Sequence, residues 1–280
     1  MTRPEWLDQA IKLYQEDHLT FTAIGTALHV GRKTVSKYLK REGFESNPKY
    51  VRHVDPAKLR HYDYSICDTI FHKIDSEEKA YWLGFLYADG YVADSGSTVE
   101  LSLEEKDFNH LQRFRSFLGL DNKPFNKKVK TIGENVFYSY RFSFNSASAK
   151  QDLINLGCTP QKTFSLTFPT ADQVPDNLIR HFVRGYIDGD GCIYTSNHKI
   201  SVEVLGTEFF LDGYKRWVNL GNSKIYHFNH SDIKRVVNSN RQACDILQRI
   251  YRDATIYLQR KYDKYINFLA VKREDCDKPV

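Results

Sequence analysis

The chain has 280 residues, 41% hydrophobic and 27% charged, with 40 basic against 35 acidic side chains. This composition supports packed cores and excludes global disorder, and the length suggests two domains or three small ones. The longest apolar run, 81–88 with Gly84 inside it, falls far short of the ~20 residues of a membrane span, and the five scattered cysteines lack any CxxC pair.

A soluble chain with no membrane partner is therefore expected, in the cytoplasm or associated with the nucleoid. The N-terminus is charged throughout, where a signal peptide has an apolar stretch. Charge is also unevenly placed. Residues 1–60 hold 11 Lys and Arg against 7 Asp and Glu, whereas the other 220 hold 29 against 28, which points to a polyanion-facing module at the start.

Over 5–17, Trp6, Ala10, Leu13 and Tyr14 recur at helical spacing. Thr20 is placed to cap a second helix carrying Ala23, Ile24, Ala27 and Leu28. A third helix turns Val35, Tyr38 and Leu39 inward and carries Arg32, Lys33, Thr34, Ser36, Lys37 and Lys40, with no acid from Gly31 to Arg41. Such a helix can enter a major groove with its cations on phosphate and its hydroxyls on base edges. The string TAIGTALHVGRKTVSKYLK resembles the helix-turn-helix signature, with Ala23 as its small residue and His29 where a turn glycine is usual. The resemblance implies an all-α DNA-binding domain over 1–45. A protein-interaction module with a solvated basic face is the alternative. Residues 46–75, with Pro48, Pro56, Lys49, Arg52, Lys58 and Arg60, read as an extended basic connector that either lies along DNA or tethers the first module.

Residues 81–92, YWLGFLYADGYV, and 182–193, FVRGYIDGDGCI, align Gly84 with Gly185, Asp89 with Asp190 and Gly90 with Gly191. The offset of 101 residues is a domain length, not a solenoid period. Each segment reads as an apolar helix ending in Asp-Gly. A helical glycine costs about 1 kcal/mol against alanine and is useful where two helices pack backbone to backbone. Side by side, two such helices bring Asp89 and Asp190 together, and paired carboxylates suit a hard divalent cation.

The same order of elements follows each segment. Val99, Leu101 and Leu103 alternate with Glu100, Ser102 and Glu104 as a strand, followed by a helix, two strands and a closing helix. Tyr138, Tyr140, Phe142 and Phe144 suit the core, leaving Ser139, Arg141 and Ser143 outward, while Asn126, Lys128 and Lys130 share one face. Lys224, Tyr226, Lys234 and Asn238 stand at comparable places in the second half. A β-ribbon in a major groove reads bases with such side chains, and a register slip of one residue exchanges the faces.

The paired segments resemble the LAGLIDADG motif of homing endonucleases, and the resemblance covers roughly 76–270. It implies an α+β fold in which two pseudo-symmetric αββαββα halves, 76–170 and 171–275, form a saddle on double-stranded DNA. It implies that Asp89 and Asp190, at the motif's eighth position, hold Mg2+ (Mn2+ as a substitute), with Gly90 and Gly191 as part of the metal site. At the sixth position, usually acidic, stand Tyr87 and Asp188, and Trp82 replaces the first aliphatic residue. Related enzymes carry a basic residue late in each half. Lys162, 73 residues after Asp89, and Lys261, 71 after Asp190, match that place, with Arg260 and Lys264 as rivals.

The implied activity is a homing endonuclease, a monomer acting as a pseudo-dimer, that makes Mg-dependent double-strand breaks with short 3′ overhangs in a long asymmetric target. Without terminal splicing residues it is expected to be intron-encoded or free-standing, from a microbial or phage-like setting. The alternatives are a non-catalytic transcription regulator on the same scaffold, or a maturase whose partner is intron RNA.

Overall fold

A computed structural model describes residues 3–17, 19–45, 63, 65–196, 199–219, 224–227 and 232–276, with 272–276 as backbone alone. The chain forms two units, 1–61 and 62–280. Most of the expected connector, including Lys49, Arg52, Lys58 and Arg60, lies outside the described residues.

In the first unit, α1 (Leu7–Gln15), α2 (Phe21–Ala27) and α3 (Arg32–Arg41) enclose a small core of Leu7, Ala10, Phe21, Ile24, Val35 and Leu39. The Thr20 side chain caps α2 by accepting the Ala23 N–H at 3.2 Å. His29 adopts φ +54° in the turn to α3, the left-handed conformation that glycine takes without strain. The small residue at this turn is Gly25, not Ala23: an added Cβ on Gly25 would stand 2.6 Å from the Val30 carbonyl oxygen. Ala27, expected on the packed face, is exposed, because the buried side of α2 runs through Phe21, Ile24 and Gly25.

The second unit opens with α4 (Ser65–Thr69), a short helix where an extended connector was expected. Cys67, Ile70, Phe71 and Ile74 recur at helical spacing there and enter the core, which gives this stretch a packed face. The first half follows as α5 (Glu77–Asp89), β1 (Gly90–Val92), β2 (Thr98–Glu104), α6 (Phe108–Phe117), β3 (Asn126–Ile132), β4 (Asn135–Asn145) and α7 (Ala147–Asn155). The second repeats it as α8 (Ile179–Asp190), β5 (Cys192–Ser196), β6 (Lys199–Gly206), α9 (Glu208–Val218), β7 (Ile225–His227), β8 (Lys234–Ser239) and α10 (Arg241–Tyr251). A further helix, α11 (Gln259–Cys276), lies beyond the elements read from periodicity.

Each half builds an antiparallel sheet, ordered β1-β2-β4-β3 and β5-β6-β8-β7. One hydrophobic core runs through both halves. At its centre α5 packs on α8. Residues 80–87 of α5 are buried without a break, as a helix enclosed on all sides requires. The contact is reciprocal. An added Cβ on Gly84 would overlap the Phe182 carbonyl oxygen and stand 2.8 Å from its carbon, and one on Gly185 would overlap the Tyr81 oxygen and stand 2.9 Å from its carbon. Residue pairs related by the sequence repeat thus exchange places, so an approximate twofold axis passes through this contact.

Polar groups lock the same interface. Arg184, fully buried, donates to the Ile250 and Ile256 carbonyls at 2.7 and 2.8 Å and to Glu77 Oε1 of the other half at 2.6 Å. Burial, then Arg184, pushes the neighbouring His181 down to about 4, and burial, then Arg113, pushes His110 down to about 3. Both folded values lie below the ordinary 6.5, so the unfolded chain binds protons first as pH falls. Stability present above pH 6.5 is therefore lost toward pH 4. These histidines pull the thermal midpoint down below neutral pH, against Asp89 and Asp190, whose raised values pull it up. Replacing His110 and His181 together by glutamine is expected to remove the downward pull in a circular-dichroism melt; an unchanged pH profile in that variant would show that these histidines do not stay neutral in the fold. Among the described residues no helix is long and apolar enough to cross a membrane.

Candidate active site

α5 and α8 stop at Asp89 and Asp190 because Gly90 and Gly191 leave the helix at ψ 148° and 162°, while their N–H groups still donate to Leu86 and Ile187. Glycine is required there: an added Cβ would stand 2.5 Å from the Leu86 oxygen in one helix and 2.7 Å from the Ile187 oxygen in the other. The residue before each acid is small as well. An added Cβ on Gly189 would overlap Ala88 and lie 3.3 Å from Asp89 Oδ2. The two helix ends therefore touch, and the two carboxylates stand beside each other.

Two lysines back them, Lys162 at 9% exposure and Lys261 at 3%. Lys162 Nζ donates to the Gly90 carbonyl. Lys261 Nζ donates to the matching Gly191 carbonyl at 2.6 Å, and also to Ile187, Asp188 and Gly189 at 2.8, 2.7 and 3.0 Å. Lys261 thus satisfies the last carbonyls of α8, the negative end of the helix. The rivals are engaged elsewhere, Arg260 with Asp107 at 2.9 and 3.0 Å and Lys264 with the Ile193 carbonyl at 3.0 Å.

The charges explain one another. Burial, then Asp190, pushes Asp89 up to about 6 against the pull of Lys261 and Lys162, and burial raises Asp190 against the same two lysines. Burial lowers Lys261 to about 8, with Asp188 the main opposing charge. Among the described residues no cluster of three or more His, Cys, Asp or Glu side chains exists to cage a metal. A hydrated hard cation such as Mg2+ needs only one or two carboxylates, and its charge would reverse the repulsion between them, so Asp89 and Asp190 fit it. The Gly90 and Gly191 carbonyls, expected beside the metal, each accept a lysine proton.

Asp188 has a different task. It is buried and accepts from the Tyr81 and Tyr251 hydroxyls, both at 2.9 Å, and from the Leu258 N–H at 2.7 Å. Its counterpart Tyr87 donates to the Leu156 carbonyl. Each sixth-position residue thereby ties its motif helix to the segment that leads into the lysine. Sequence reasoning named Tyr87 and Asp188 at the sixth position but passed over their partners, together with Glu77 and Arg184. The signal for them was an arginine and an aspartate within the mostly apolar stretch FVRGYID of α8.

No protein-family model and no curated protein matches the sequence. Solved structures do match. The I-LtrWI LAGLIDADG homing endonuclease bound to target DNA is 12% identical, with 71% of this chain and 93% of that one covered at a TM-score of 0.45. The LAGLIDADG meganuclease I-AabMI bound to uncleaved DNA is 13% identical, with 68% and 88% covered at 0.41. The homing endonuclease I-WcaI bound to its DNA recognition sequence is 11% identical, with 74% and 95% covered at 0.51. This chain has the LAGLIDADG homing-endonuclease fold.

Within this LAGLIDADG fold, each sheet turns one face to the helices and the other outward. In the first sheet Asn126 pairs with Arg141, Lys128 with Ser139 and Lys130 with Phe137, so Asn126, Lys128, Lys130, Ser139, Arg141 and Ser143 share the outward face. Phe142 and Phe144 are buried, but Tyr138, expected in the core, is 37% exposed. β3 is exposed along its whole length, so this hairpin runs out beyond the core.

In the second sheet β8 is turned over by one residue. Val236 and Asn238 are buried, and Lys234, on their side of the strand, forms an ion pair with Glu208 at the start of α9. Arg235, not Lys234, faces outward, opposite Tyr226. The two adjacent valines of KRVVN explain the error, because apolar side chains on both faces leave the alternation without a phase. Lys224 is exposed just before β7. In the first unit Arg32, Lys33, Thr34, Lys37 and Lys40 are exposed on α3, and Ser36 is half-buried.

Proposed function

We propose that the chain is a site-specific endonuclease that cuts both strands of double-stranded DNA. The observation that carries this is the twofold pair Asp89 and Asp190, each ending a central helix beside a buried lysine bound to the equivalent glycine carbonyl. An approximate twofold pair of acids matches two antiparallel scissile strands. A bound Mg2+, or Mn2+ in its place, would polarise the phosphate and acidify an attacking water. Asp89 and Asp190 would hold the cation. Lys162 and Lys261 would fix the glycine carbonyls at the helix ends and keep positive charge close to the scissile phosphates.

The outward sheet faces would lie in the major groove, with Lys128, Lys130, Arg141 and Lys224 among the groups that meet DNA. Lys234 is left out of that set because it lies on the side of β8 that carries the buried Val236 and Asn238. Side chains on the two sheets differ, so the target is long and asymmetric, and the resemblance to homing endonucleases supports short 3′ overhangs. The test is a supercoiled plasmid carrying the joined sequence that flanks the gene. Mg2+-dependent linearisation supports the reading. Tight binding without cutting in either Mg2+ or Mn2+ overturns it in favour of a DNA-binding regulator.

The exposed cations of α3 would extend the footprint as a helix-turn-helix module. Removing residues 1–45 is expected to weaken DNA binding and to flatten the plot of log K against log salt by about 0.9 for every phosphate that is no longer neutralised. If neither quantity changes in a filter-binding titration, this unit binds something other than DNA.

A further inference from the structure

Each outward sheet face carries one cross-strand Arg–Glu pair, and the two pairs occupy equivalent positions. In the first half Arg141 Nη1 donates to Glu100 Oε2 at 3.2 Å, and in the second Arg235 Nη1 donates to Glu203 Oε1 at 3.3 Å. The register is the same in both. Glu100 lies opposite Tyr91 of β1 and Ser143 of β4, and the arginine is two residues before Ser143. Glu203 lies opposite Cys192 of β5 and Val237 of β8, and the arginine is two residues before Val237. Tyr91 and Cys192 each follow the glycine next to an active-site aspartate, so both pairs stand close to the centre of the saddle, one on each side.

Thr98 with Asn145 and Ser201 with Ser239 also match as cross-strand hydrogen bonds, but three other outward positions differ. Tyr91 corresponds to Cys192, Ser102 to Leu205 and Ser143 to Val237, yet arginine and glutamate recur in place. Exposed salt bridges add little stability, so fold maintenance is a weak reason for the recurrence. The glutamates are the more enclosed partners, with side chains 20% and 13% exposed against 33% for Arg141 and 41% for Arg235. A half-buried carboxylate holds the guanidinium in one orientation beforehand and so reduces the entropic cost of binding. It also balances the local charge, which favours a base edge over a phosphate.

Resting on the proposed endonuclease reading, we infer that Arg141 and Arg235 each read a guanine through its O6 and N7, with Glu100 and Glu203 as positioning residues. The planar fork of arginine matches that pair of acceptors, and lysine does not reproduce it. The approximate twofold axis adds a constraint: the two guanines stand at equal distances from the centre of the target, on opposite strands.

The test is selection of bound sequences from a randomised duplex pool by the full chain in EDTA, where binding is read without cutting. The wild-type consensus should hold two guanines placed in that way. Arg141→Ala and Arg235→Ala should each relax one of them, losing about tenfold to a hundredfold discrimination at that position alone. Arg141→Lys should relax the same position while keeping overall affinity, and Glu100→Ala should weaken the guanine preference only where Arg141 acts. Unchanged thermal midpoints would show that the variants fold. Uniform weakening across the consensus, or relaxation at a base other than guanine, overturns the assignment and leaves the pairs as phosphate-binding groups. Failure of the wild type to enrich any sequence overturns sequence-specific DNA binding itself, and with it the endonuclease reading.

Discussion

Asp89→Asn and Asp190→Asn should each reduce linearisation of a target plasmid by about a thousandfold while leaving DNA binding intact. Asparagine keeps the size and one oxygen of the side chain but loses the charge that would hold a divalent cation. Loss of several kcal/mol of electrostatic assistance at phosphorus, about 4 kcal/mol, corresponds to three decades in rate. Misfolding is not an alternative explanation for that loss. Asp89 and Asp190 end touching helices, where two carboxylates repel each other, so removing one charge should leave the thermal midpoint unchanged or raise it. Retained binding, a retained midpoint and lost cleavage together identify a catalytic role. Cleavage at the wild-type rate in either variant would remove these acids from the mechanism.

Gly84→Ala should have a large structural effect for a single methyl group. The added Cβ would overlap the Phe182 carbonyl oxygen and stand 2.8 Å from its carbon and 3.0 Å from the Tyr186 nitrogen. All three are backbone atoms, so no rotamer change relieves the overlap and the helices must separate. Overpacking typically costs 1–3 kcal/mol, and a clash with backbone belongs at or above the top of that range, about 3 kcal/mol. A drop of roughly 10 °C in thermal midpoint is expected for a unit of this size. Cleavage should fall further than stability, because the same packing sets the spacing of Asp89 and Asp190, and a misplacement near 1 Å can cost about a hundredfold in rate. Gly185→Ala should behave alike, since the Tyr81 carbonyl meets it in the reciprocal way. A midpoint within a degree of wild type for both variants would mean that the helix packing is not tight.

The two effects differ in kind, one chemical and one geometric, yet both trace to the same twelve-residue repeat. That repeat was legible because its elements are local. An apolar helix, an interior glycine and a terminal Asp-Gly are each written in adjacent residues. The αββαββα order was legible for the same reason, since helix and strand periodicities show in short windows, as in Val99, Leu101 and Leu103 of β2. Lys162 and Lys261 were singled out by the basic residue that the resemblance implies late in each half and by their matching offsets from the acids, but their partners were not. Four carbonyls around Lys261 are a consequence of where α11 begins relative to the end of α8.

Other features needed the fold because they depend on partners far apart in the chain. Gly25 replaces Ala23 at the first unit's turn because the Val30 carbonyl returns over it. Asp188 is identified in the sequence only as a sixth-position acid, and its enclosure by Tyr81, Tyr251 and the Leu258 N–H shows only in the fold. The phase of β8 is the plainest case. Val236 and Val237 carry no alternation, so nothing in KRVVN says whether Lys234 or Arg235 faces outward, and only pairing with β6 decides. By itself, then, the amino-acid order determined the repeat, the two acids and the succession of elements, all of which follow from local periodicity. Only the tertiary structure decided which lysine nitrogens meet which carbonyls and which strand face is turned outward, since hydrogen bonds and strand register join residues that no local window contains.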